Sequence, residues 1–377
     1  MRNTDVVVVG AGPTGLTLGA SLIDKGMDVV VLDKNPEGAN TSRAAVVHAR
    51  TLEVLRDLGV ARELVTRGVV VPSFTLRDRD RTLLSLDFSD LPTPYPFTLM
   101  VPQSTTEEVL LNRLRELGGK VQRPTEVVGL DQDADGVTVH TTDEGGTTSI
   151  RARYLIGADG MHSAVRGLAG IGFTGSAYEQ SFVLADVRMG WALPADEVQL
   201  FFSPAGLVVV APLPGDRHRI VATLDHAPEH PELPDIQRLL DTRGPVTDPA
   251  RVDEVVWSSR FRVHHRLASR YRTGRVFLAG DAAHVHSPAG GQGMNTGIQD
   301  AVELATLLHT GAEARYESIR RPVAAGVLSM TDRMTRAATT HSPLVRTLRN
   351  TTLRTLSHVP PFRHTLAMTL SELSTRR

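Results

Sequence analysis

A glycine-rich turn between a valine run and an apolar helical run constrains this fold more than any other feature. Residues 5–9 are an aspartate and four valines, and they lead into the hexapeptide Gly10-Ala11-Gly12-Pro13-Thr14-Gly15. Apolar residues recur at mixed helical spacing over residues 16–25, and residues 29–32 form a second apolar run that ends at Asp33. This order predicts the strand, tight turn, helix and strand of a dinucleotide-binding βαβ unit.

Each part of this unit has a physical task in binding a dinucleotide. One glycine permits the turn, one lets the backbone approach the pyrophosphate, and one allows close helix packing, while the pyrophosphate rests on the positive end of the helix. Asp33 would accept hydrogen bonds from the adenosine ribose hydroxyls. FAD and NAD(P) share that ADP part, so this unit alone does not distinguish them. The predicted cofactor-binding residues here are Gly10, Gly12, Pro13, Thr14, Gly15, Asp33 and Lys34.

Composition narrows the class of protein. The 377 residues are 41 % hydrophobic and 22 % charged, which predicts a globular protein of roughly two domains. The net charge of −1, without a long block of one charge, argues against nucleic acid or a membrane as a partner. The absence of cysteine excludes disulfides, thiolate metal sites and a thiol nucleophile, and no metal-binding spacing of His, Asp or Glu is present. We expect a cytoplasmic protein without a metal.

Two later segments repeat the pattern of an apolar strand that ends in a glycine and an aspartate. Residues 154–166 read YLIGADGMHSAVR, and residues 274–284 read GRVFLAGDAAH and continue through PAGGQGMN at residues 288–295. Between these motifs and the first lie SRAAVVHARTLEVL, which contains Arg43, and VPQSTTEEVL, which contains Gln103. From residue 1 to about 330 the chain resembles the FAD-dependent aromatic hydroxylases. These are single-component flavoprotein monooxygenases of the para-hydroxybenzoate hydroxylase fold, and the likeness is greatest to their polyketide- and antibiotic-modifying branch.

The resemblance implies which of these residues bind flavin. Asp281 would hydrogen-bond the ribityl chain, which NAD lacks, and Gly280 would let the backbone come close. Residues 290–295 would open a helix whose N-terminal amides face the flavin pyrimidine ring and stabilise the anionic N1 of reduced flavin. The FAD-binding residues that the resemblance adds are Arg43, Gln103, Asp159, Gly280, Asp281, Pro288, Gly291, Gly293, Met294 and Asn295.

Several of these residues also have a plain structural interpretation. Arg43 could be a solvated charge at a helix start, Gln103 a helix-cap residue, and Asp159 a tie for a strand-to-helix loop. His284 and His286 are candidates for a catalytic proton relay or a substrate hydrogen bond, or they are structural residues beside the cofactor.

The function implied by the resemblance is hydroxylation of an aromatic or polyketide-type small molecule. NADPH or NADH would reduce FAD, O2 would add to it, and the resulting C4a-hydroperoxide would deliver one oxygen atom. Baeyer-Villiger oxidation, epoxidation and a non-catalytic FAD-binding role remain alternatives. A halogenase is disfavoured because residues 190–194 contain only one tryptophan of the Trp-x-Trp-x-x-Pro element, and a nicotinamide-only dehydrogenase is disfavoured by Asp281.

The predicted fold class is α/β, with a Rossmann-like FAD-binding domain, an inserted β-sheet substrate domain and C-terminal helices. Alternating apolar residues at 183–189 and apparent hairpins at 75–88 and 206–224 predict the inserted sheet. The C-terminal leucines predict helices that pack on the flavin domain. The predicted boundaries are residues 1–70, 98–175 and 265–325 for the FAD-binding domain, 71–97 and 176–264 for the substrate domain, and 326–377 for a helical segment without a thioredoxin-like domain.

The substrate would bind between the two domains, against one face of the inserted sheet. A monomer or a homodimer is expected. The segment after the third motif is shorter than the family pattern and leads into Tyr316-Glu317-Ser318-Ile319-Arg320-Arg321-Pro322. The candidate pocket residues are Phe74, Phe97, Met100, Phe201, Phe202 and Trp257, each of which could equally be core.

Overall fold

The structure of the protein is a computed structural model. It describes residues 2–38, 44–224, 227–338, 340 and 342–376. The strands are β1 (Arg2–Val9), β2 (Val29–Leu32), β3 (Val46–Val47), β4 (Val69–Val71), β5 (Ser73–Asp78), β6 (Arg81–Asp87), β7 (Thr98–Met100), β8 (Val121–Gln122), β9 (Glu126–Gln132), β10 (Val137–Asp143), β11 (Gly146–Gly157), β12 (Phe173–Gly190), β13 (Glu197–Ser203), β14 (Gly206–Leu213), β15 (Arg217–Leu224), β16 (Arg251–Ala268), β17 (Arg272–Thr273), β18 (Val276–Leu278) and β19 (His284–Val285).

Helices connect and cover these strands. Short 3-10 helices span Gly280–Ala282, Glu313–Arg315 and Leu373–Thr375. The α-helices are α1 (Pro13–Asp24), α2 (Ala49–Asp57), α3 (Ala61–Arg67), α4 (Gln103–Glu116), α5 (Ala164–Leu168), α6 (Leu233–Arg243), α7 (Gly293–His309), α8 (Tyr316–Ala338), α9 (Pro343–Leu356) and α10 (Pro360–Leu370).

The first sheet has the order β17-β18-β11-β1-β2-β8, with β10 and β9 continuing from β11. β1 pairs in parallel with β2 and β11, and β11 pairs in parallel with β18. The valines of β1 are buried because helices cover both faces of the parallel strands. The predicted strand, turn, helix and strand are confirmed, although α1 begins at Pro13 rather than at residue 16. Proline suits this first helical position, since its missing N–H has no partner there anyway.

The second sheet has the order β19-β16-β12-β15-β14-β13-β5-β6. Its longest strands, β12 and β16, pair antiparallel over most of their length. Both predicted hairpins are confirmed, as β14 with β15 and β5 with β6. A small third sheet, β3-β7-β4, contributes Met100 to a hydrophobic cluster that also contains Phe74 of β5. The architecture is therefore the predicted α/β fold, with a second sheet beside the dinucleotide-binding one.

The C-terminal helices pack against elements of both layers. α8 contacts α7 of the first layer, while α9 and α10 both contact β6 of the second sheet. Ala367 and Leu370 of α10 are buried in a cluster that contains Ala49 of α2 as well as Leu84 of β6. The contacts with the second sheet were not predicted, because an apolar helix face in the sequence does not specify which surface buries it.

Candidate functional site

The first glycine motif packs against the second motif. Gly10 has φ +100°, and a Cβ on it would lie 2.3 Å from the Ala158 carbonyl oxygen. A Cβ on Gly15 would lie 1.8 Å from the Gly10 carbonyl oxygen. At Gly12, by contrast, the described part of the chain places no heavy atom within 4 Å of a Cβ. Two glycines are thus required by internal packing, while Gly12 leaves open space at the start of α1, where a phosphate would be stabilised.

Asp33 lies at the carboxyl end of β2 and is held by backbone amides. Its Oδ2 accepts a hydrogen bond from the Ala11 N–H at 2.7 Å, and its Oδ1 accepts one from the Asn35 N–H at 2.8 Å. Arg123 donates to the Ala11 carbonyl at 3.3 Å and lies 4.0 Å from Asp33 Oδ2. Lys34 is exposed beside it. Arg123 was not among the predicted site residues, because nothing near it in the sequence indicates that it reaches the first motif.

The third motif forms a turn that packs on the first motif. Gly280 has φ +61°, and a Cβ on it would lie 2.6 Å from Thr14 Oγ1. A Cβ on Gly297 would lie 2.4 Å from the same oxygen. The starts of α1 and α7 and the turn at Gly280 therefore converge around Thr14, and the exposed Asp281 follows directly. Close backbone approach of this kind requires glycine.

A buried cluster of charged and polar side chains supports the turn at Gly280. Asp300 Oδ2 accepts from the Gly280 N–H at 3.2 Å and lies 2.7 Å from His284 Nε2, while Arg320 Nε donates to Asp300 Oδ1 at 2.6 Å. Burial alone would raise the pKa of Asp300, but Arg320 and His284 together hold that pKa below its ordinary value. His284 is thus wholly enclosed and engaged by a carboxylate.

The Tyr-x-x-x-Arg-x-Pro segment at the start of α8 acts on the same turn. The Tyr316 hydroxyl donates to the Leu278 carbonyl at 3.0 Å, at the end of the strand that leads into Gly280. Arg320, four residues later and so on the same helix face, reaches Asp300 and the Thr296 carbonyl. The motif residues therefore support the turn, and the sequence analysis had assigned them no task.

The loop before α7 is joined to the segment before α2 by buried side chains. Asn295 Nδ2 donates to the carbonyls of Val46 and Gly291, at 2.9 and 2.7 Å, and its Oδ1 accepts from the His48 N–H at 2.8 Å. His48 Nε2 lies 2.8 Å from the Gly290 carbonyl, and burial lowers the pKa of His48 to about 4. The neutral ring can donate only if Nε2 carries its proton. Asn295 was a predicted site residue, whereas His48 was not.

His286 and its neighbours continue this loop. His286 Nδ1 lies 2.9 Å from the Ser287 carbonyl, and burial lowers the pKa of His286 to about 4. The neutral ring therefore carries its proton on Nδ1, which leaves Nε2 as an acceptor without a partner among the described residues. A Cβ on Gly293 would lie 3.9 Å from that Nε2. Pro288 of this loop and Met294 at the start of α7 are partly buried.

Gln103 is brought to the edge of this loop region, and Arg43 lies outside the described residues. The Gln103 side-chain oxygen accepts from the Ala44 N–H at 3.1 Å, and its backbone N–H donates to the Ala44 carbonyl at 3.0 Å. Gln103 also donates to Glu107 one turn along α4. It thereby fixes the backbone next to position 43.

Asp159 stabilises the loop between β11 and α5. It accepts from Ser163 Oγ at 2.5 Å and from the Val165 N–H at 3.1 Å, and burial raises its pKa. Arg166 donates to the carbonyls of Met161 and Ala282, at 2.8 and 2.9 Å. The second motif is therefore joined to the Gly280 turn through Arg166.

The candidate pocket residues do not form one common lining. Phe74 and Met100 are buried in one hydrophobic cluster, and Phe201 is buried in another. Phe97 packs on the core of the first sheet, and Phe202 lies 4.9 Å from the Arg349 guanidinium. Trp257, on β16, is paired across the sheet with Asp186.

A buried ion pair joins the second sheet to the loop region. Arg219 of β15 donates to both carboxylate oxygens of Asp186 on β12, at 2.7 and 2.9 Å. Its remaining terminal nitrogen donates to the Ala44 carbonyl at 3.0 Å. Both side chains are almost fully enclosed. The same backbone at Ala44 is therefore held by Gln103 from one side and by the second sheet from the other.

The arrangement fits FAD. An open helix start at Gly12 can take a pyrophosphate, the carboxylate of Asp33 can accept from ribose hydroxyls, and the carboxylate of Asp281 can accept from ribityl hydroxyls. The described residues include no group of three or more His, Asp or Glu side chains placed to hold a metal ion. Within the same residues, no helix combines the length and the apolar character needed to cross a membrane.

Comparison with known proteins also indicates a flavin-binding protein. Residues 3–331 match the family described as "FAD binding domain". The chain is 39 % identical to a 12-dehydrotetracycline 5-monooxygenase/anhydrotetracycline 6-monooxygenase of Streptomyces rimosus subsp. rimosus. That alignment is 395 positions long and covers 99 % of this chain and 77 % of the relative. The crystal structure of p-nitrophenol 4-monooxygenase from Pseudomonas putida superposes with a TM-score of 0.89 at 28 % identity and covers 100 % of both chains. An anhydrotetracycline hydroxylase from Streptomyces rimosus superposes with a TM-score of 0.81 at 35 % identity, over 99 % of this chain and 76 % of that one.

Proposed function

Because the chain belongs to the FAD-binding family of flavin-dependent aromatic monooxygenases, we propose that it hydroxylates a phenolic polyketide or a similar fused-ring aromatic molecule with NAD(P)H and O2. The observation that carries the substrate class is the 39 % identity, over 99 % of this chain, to a monooxygenase named for tetracycline intermediates. An aromatic hydroxylase named for p-nitrophenol matches over 100 % of this chain, which supports a phenol as the reacting group.

Bound FAD supplies the transfer of electrons from NAD(P)H to O2 and of one oxygen atom to the substrate. A ring C–H bond becomes C–OH, the second oxygen atom leaves as water, and two electrons come from NAD(P)H. The chain must therefore orient the flavin, hold the substrate and exclude water, because water would divert the oxygen to H2O2.

In this proposal the motif residues hold and orient the flavin. The start of α1 at Gly12 would hold the pyrophosphate, Asp33 the adenosine ribose and Asp281 the ribityl chain. The positive end of α7 would stabilise negative charge on the pyrimidine ring. We assign His284 to support of the Gly280 turn rather than to proton transfer, because it is enclosed and already bonded to Asp300.

The second sheet would cover the substrate. Residues 71–97 and 176–264 would form this substrate-binding unit on a flavin-binding unit of residues 1–70, 98–175 and 265–325. The link from Arg219 to the Ala44 carbonyl supports this division, since it joins the sheet to the loop region next to the proposed flavin site.

The test is NAD(P)H oxidation by the FAD-loaded protein across simple phenols, naphthols and tetracycline-type phenols. H2O2 and oxygenated products are quantified in the same reactions. We expect one fused-ring class to accelerate oxidation and to yield a product that contains one more oxygen atom, with little H2O2. A ring-expanded or epoxidised product would show that the reaction is not the proposed hydroxylation. Slow NAD(P)H oxidation that yields only H2O2 with every fused-ring phenol would contradict the proposed substrate class.

An isosteric variant separates flavin binding from substrate binding. Asp281→Asn keeps the size of the side chain but removes its charge, so we expect weaker FAD binding, by about tenfold, as one charge-assisted hydrogen bond implies. Asp216→Asn is the matched control, because Asp216 lies in the exposed turn between β14 and β15. Equal FAD affinity of the two variants would remove Asp281 from the site.

A further inference from the structure

The last residues of the chain lie across the two helices that carry the loop region of the flavin site. We call residues 371–376 the C-terminal strap. The Arg50 N–H, in the first turn of α2, donates to the Ser371 carbonyl at 3.2 Å. On the other side, Gln292 Nε2, immediately before α7, donates to the Leu370 carbonyl at 3.1 Å. The strap therefore begins between α2 and α7.

Glu372 is the central side chain of the strap. Its Oε2 accepts from Gln299 Nε2 of α7 and lies 3.5 Å from Thr51 Oγ1 of α2, and its Oε1 lies 3.4 Å from Thr296 Oγ1 of α7. The residue is 4 % exposed and has φ +59°, in the left-handed region where a Cβ crowds the backbone and non-glycine residues are uncommon. Such a residue persists only where its surroundings hold it firmly.

Two further residues hold the end of the strap. Leu373 is buried in the same hydrophobic cluster as Leu370. Arg376 donates to the Pro92 carbonyl at 3.0 Å and lies 3.5 Å from Glu53 Oε1 on α2. The strap is thus held at both ends as well as at Glu372.

The helices that the strap joins are those that position the proposed flavin site. His48, at the start of α2, is bonded to Gly290 and Asn295, and Gln292 donates to the carbonyls of Gly290 and of Leu370, the residue before the strap. The family match ends at residue 331, so it assigns no role to the strap. A shift of α7 relative to α2 would move the amides that are proposed to bind the flavin, since loss of supporting contacts loosens a site.

We propose that the C-terminal strap holds the start of α7 in its flavin-binding position, and that Glu372 is the positioning residue through which it does so. This inference rests on the proposed flavin site. Loss of the Glu372 contacts would let α7 and its preceding loop sample positions in which the amides no longer converge on the cofactor.

If Glu372 positions α7, its ionisation should make FAD binding depend on pH in a way that a general loss of stability would not. Burial raises the pKa of Glu372 to about 8, although Arg320 of α8 opposes this. Arg320 is itself bonded to Asp300 of α7, and on α2 Arg50 and Glu53 are bonded to each other. A released Glu372 would ionise near its ordinary pKa of 4.5, so the docked strap becomes progressively less stable than the released one as the pH rises from 4.5 to about 8. Above pH 8 the carboxyl is charged in both states and the effect levels off.

The test compares the wild type with Glu372→Ala and Glu372→Gln. FAD affinity is measured by quenching of flavin fluorescence at several pH values from about 5 to about 9, and hydrogen exchange of residues 290–299 is followed without cofactor. At about pH 5 we expect Glu372→Ala to bind FAD about tenfold more weakly than the wild type and to exchange faster in that segment. Glu372→Gln keeps size and hydrogen bonding, so it should bind like the wild type at about pH 5 but lack the weakening that the wild type shows as the pH rises to about 8.

Glu144→Gln is the matched control, because Glu144 is exposed in the turn between β10 and β11. A wild type that binds no FAD would refute the proposed function itself. A wild type that binds FAD, together with Glu372→Ala that keeps both its affinity and its exchange rate, would refute the strap alone. A pH dependence that survives in Glu372→Gln would remove Glu372 as the positioning residue.

Discussion

At position 280 both the backbone conformation and the surrounding space require glycine. The residue has φ +61°, and a Cβ would lie 2.6 Å from Thr14 Oγ1. We therefore expect Gly280→Ala to lower the free energy of unfolding by about 1–2 kcal/mol and to weaken FAD binding, because Thr14 would be displaced at the start of α1. Urea denaturation and a flavin-fluorescence titration measure the two effects.

Gly326→Ala is the control for this substitution. Gly326 lies within α8, and no heavy atom of the described residues comes within 4 Å of a Cβ there. Alanine in a helix should raise the free energy of unfolding by about 0.5–1 kcal/mol. Similar effects of the two substitutions would show that the Gly280 turn does not need glycine.

His48 should make stability depend on pH. Burial lowers the pKa of His48 from 6.5 to about 4, so between these values the unfolded chain binds a proton that the folded chain does not. The corresponding stability is fully present above pH 6.5 and is lost as the pH falls through about 4. In His48→Gln the free energy of unfolding should fall less steeply over this range, as measured by urea denaturation at each pH. His358 is exposed, so His358→Gln should show the same pH dependence of the free energy of unfolding as the wild type. If His48→Gln also showed the wild-type pH dependence, His48 would not be its source.

The sequence predicts residues whose neighbours in the chain explain them, and it misses residues whose partners are distant. The glycines of the first motif and Asp33 stand within one βαβ unit, so their pattern is local. His48 meets Gly290 across 242 positions. Arg123 likewise reaches Ala11 from 112 positions away. Such contacts depend on how the elements pack, which a single sequence does not reveal.

At the scale of elements, the start of α5 depends on one serine. Ser163 Oγ accepts from the Arg166 N–H at 2.9 Å and donates to the buried Asp159. Ser163→Ala should lower the free energy of unfolding by about 1–3 kcal/mol, because it removes a helix cap and leaves Asp159 short of a partner. Urea denaturation measures this, with the exposed cap of α9, Ser342→Ala, as the comparison. An equal effect at both serines would mean that the bond to Asp159 adds nothing.

Elements were predictable where apolar residues follow a simple pattern in the sequence. The valine run of β1 and the alternating apolar residues of β12 are such patterns, and both elements were predicted. β16 was not, because arginines and histidines occupy much of its length and few of its side chains are buried. It is a strand because β12 pairs with it. For α9 and α10 the apolar faces were visible, but their contact with β6 depends on tertiary packing.

At the scale of the whole molecule, one arginine connects the second sheet to the loop region of the flavin site. Arg219 binds both oxygens of Asp186 within the sheet and the Ala44 carbonyl outside it. Three donor positions of one planar group satisfy these acceptors together, which a lysine cannot do. The orientation of the sheet over the proposed flavin site should therefore be sensitive to this residue, while the motifs that hold the flavin remain intact.

Arg219→Lys keeps the charge beside Asp186 but cannot keep all three hydrogen bonds. We expect the free energy of unfolding to fall by about 1–3 kcal/mol, and a larger share of the consumed NAD(P)H to appear as H2O2, because a displaced sheet admits water. The matched control is Arg188→Lys, in an ion pair with Glu254 whose side chains are 54 % and 52 % exposed. That change should stay within about 0.5 kcal/mol with unchanged H2O2. If Arg219→Lys gave the H2O2 share of the control, the arginine would stabilise the sheet without setting its position over the flavin.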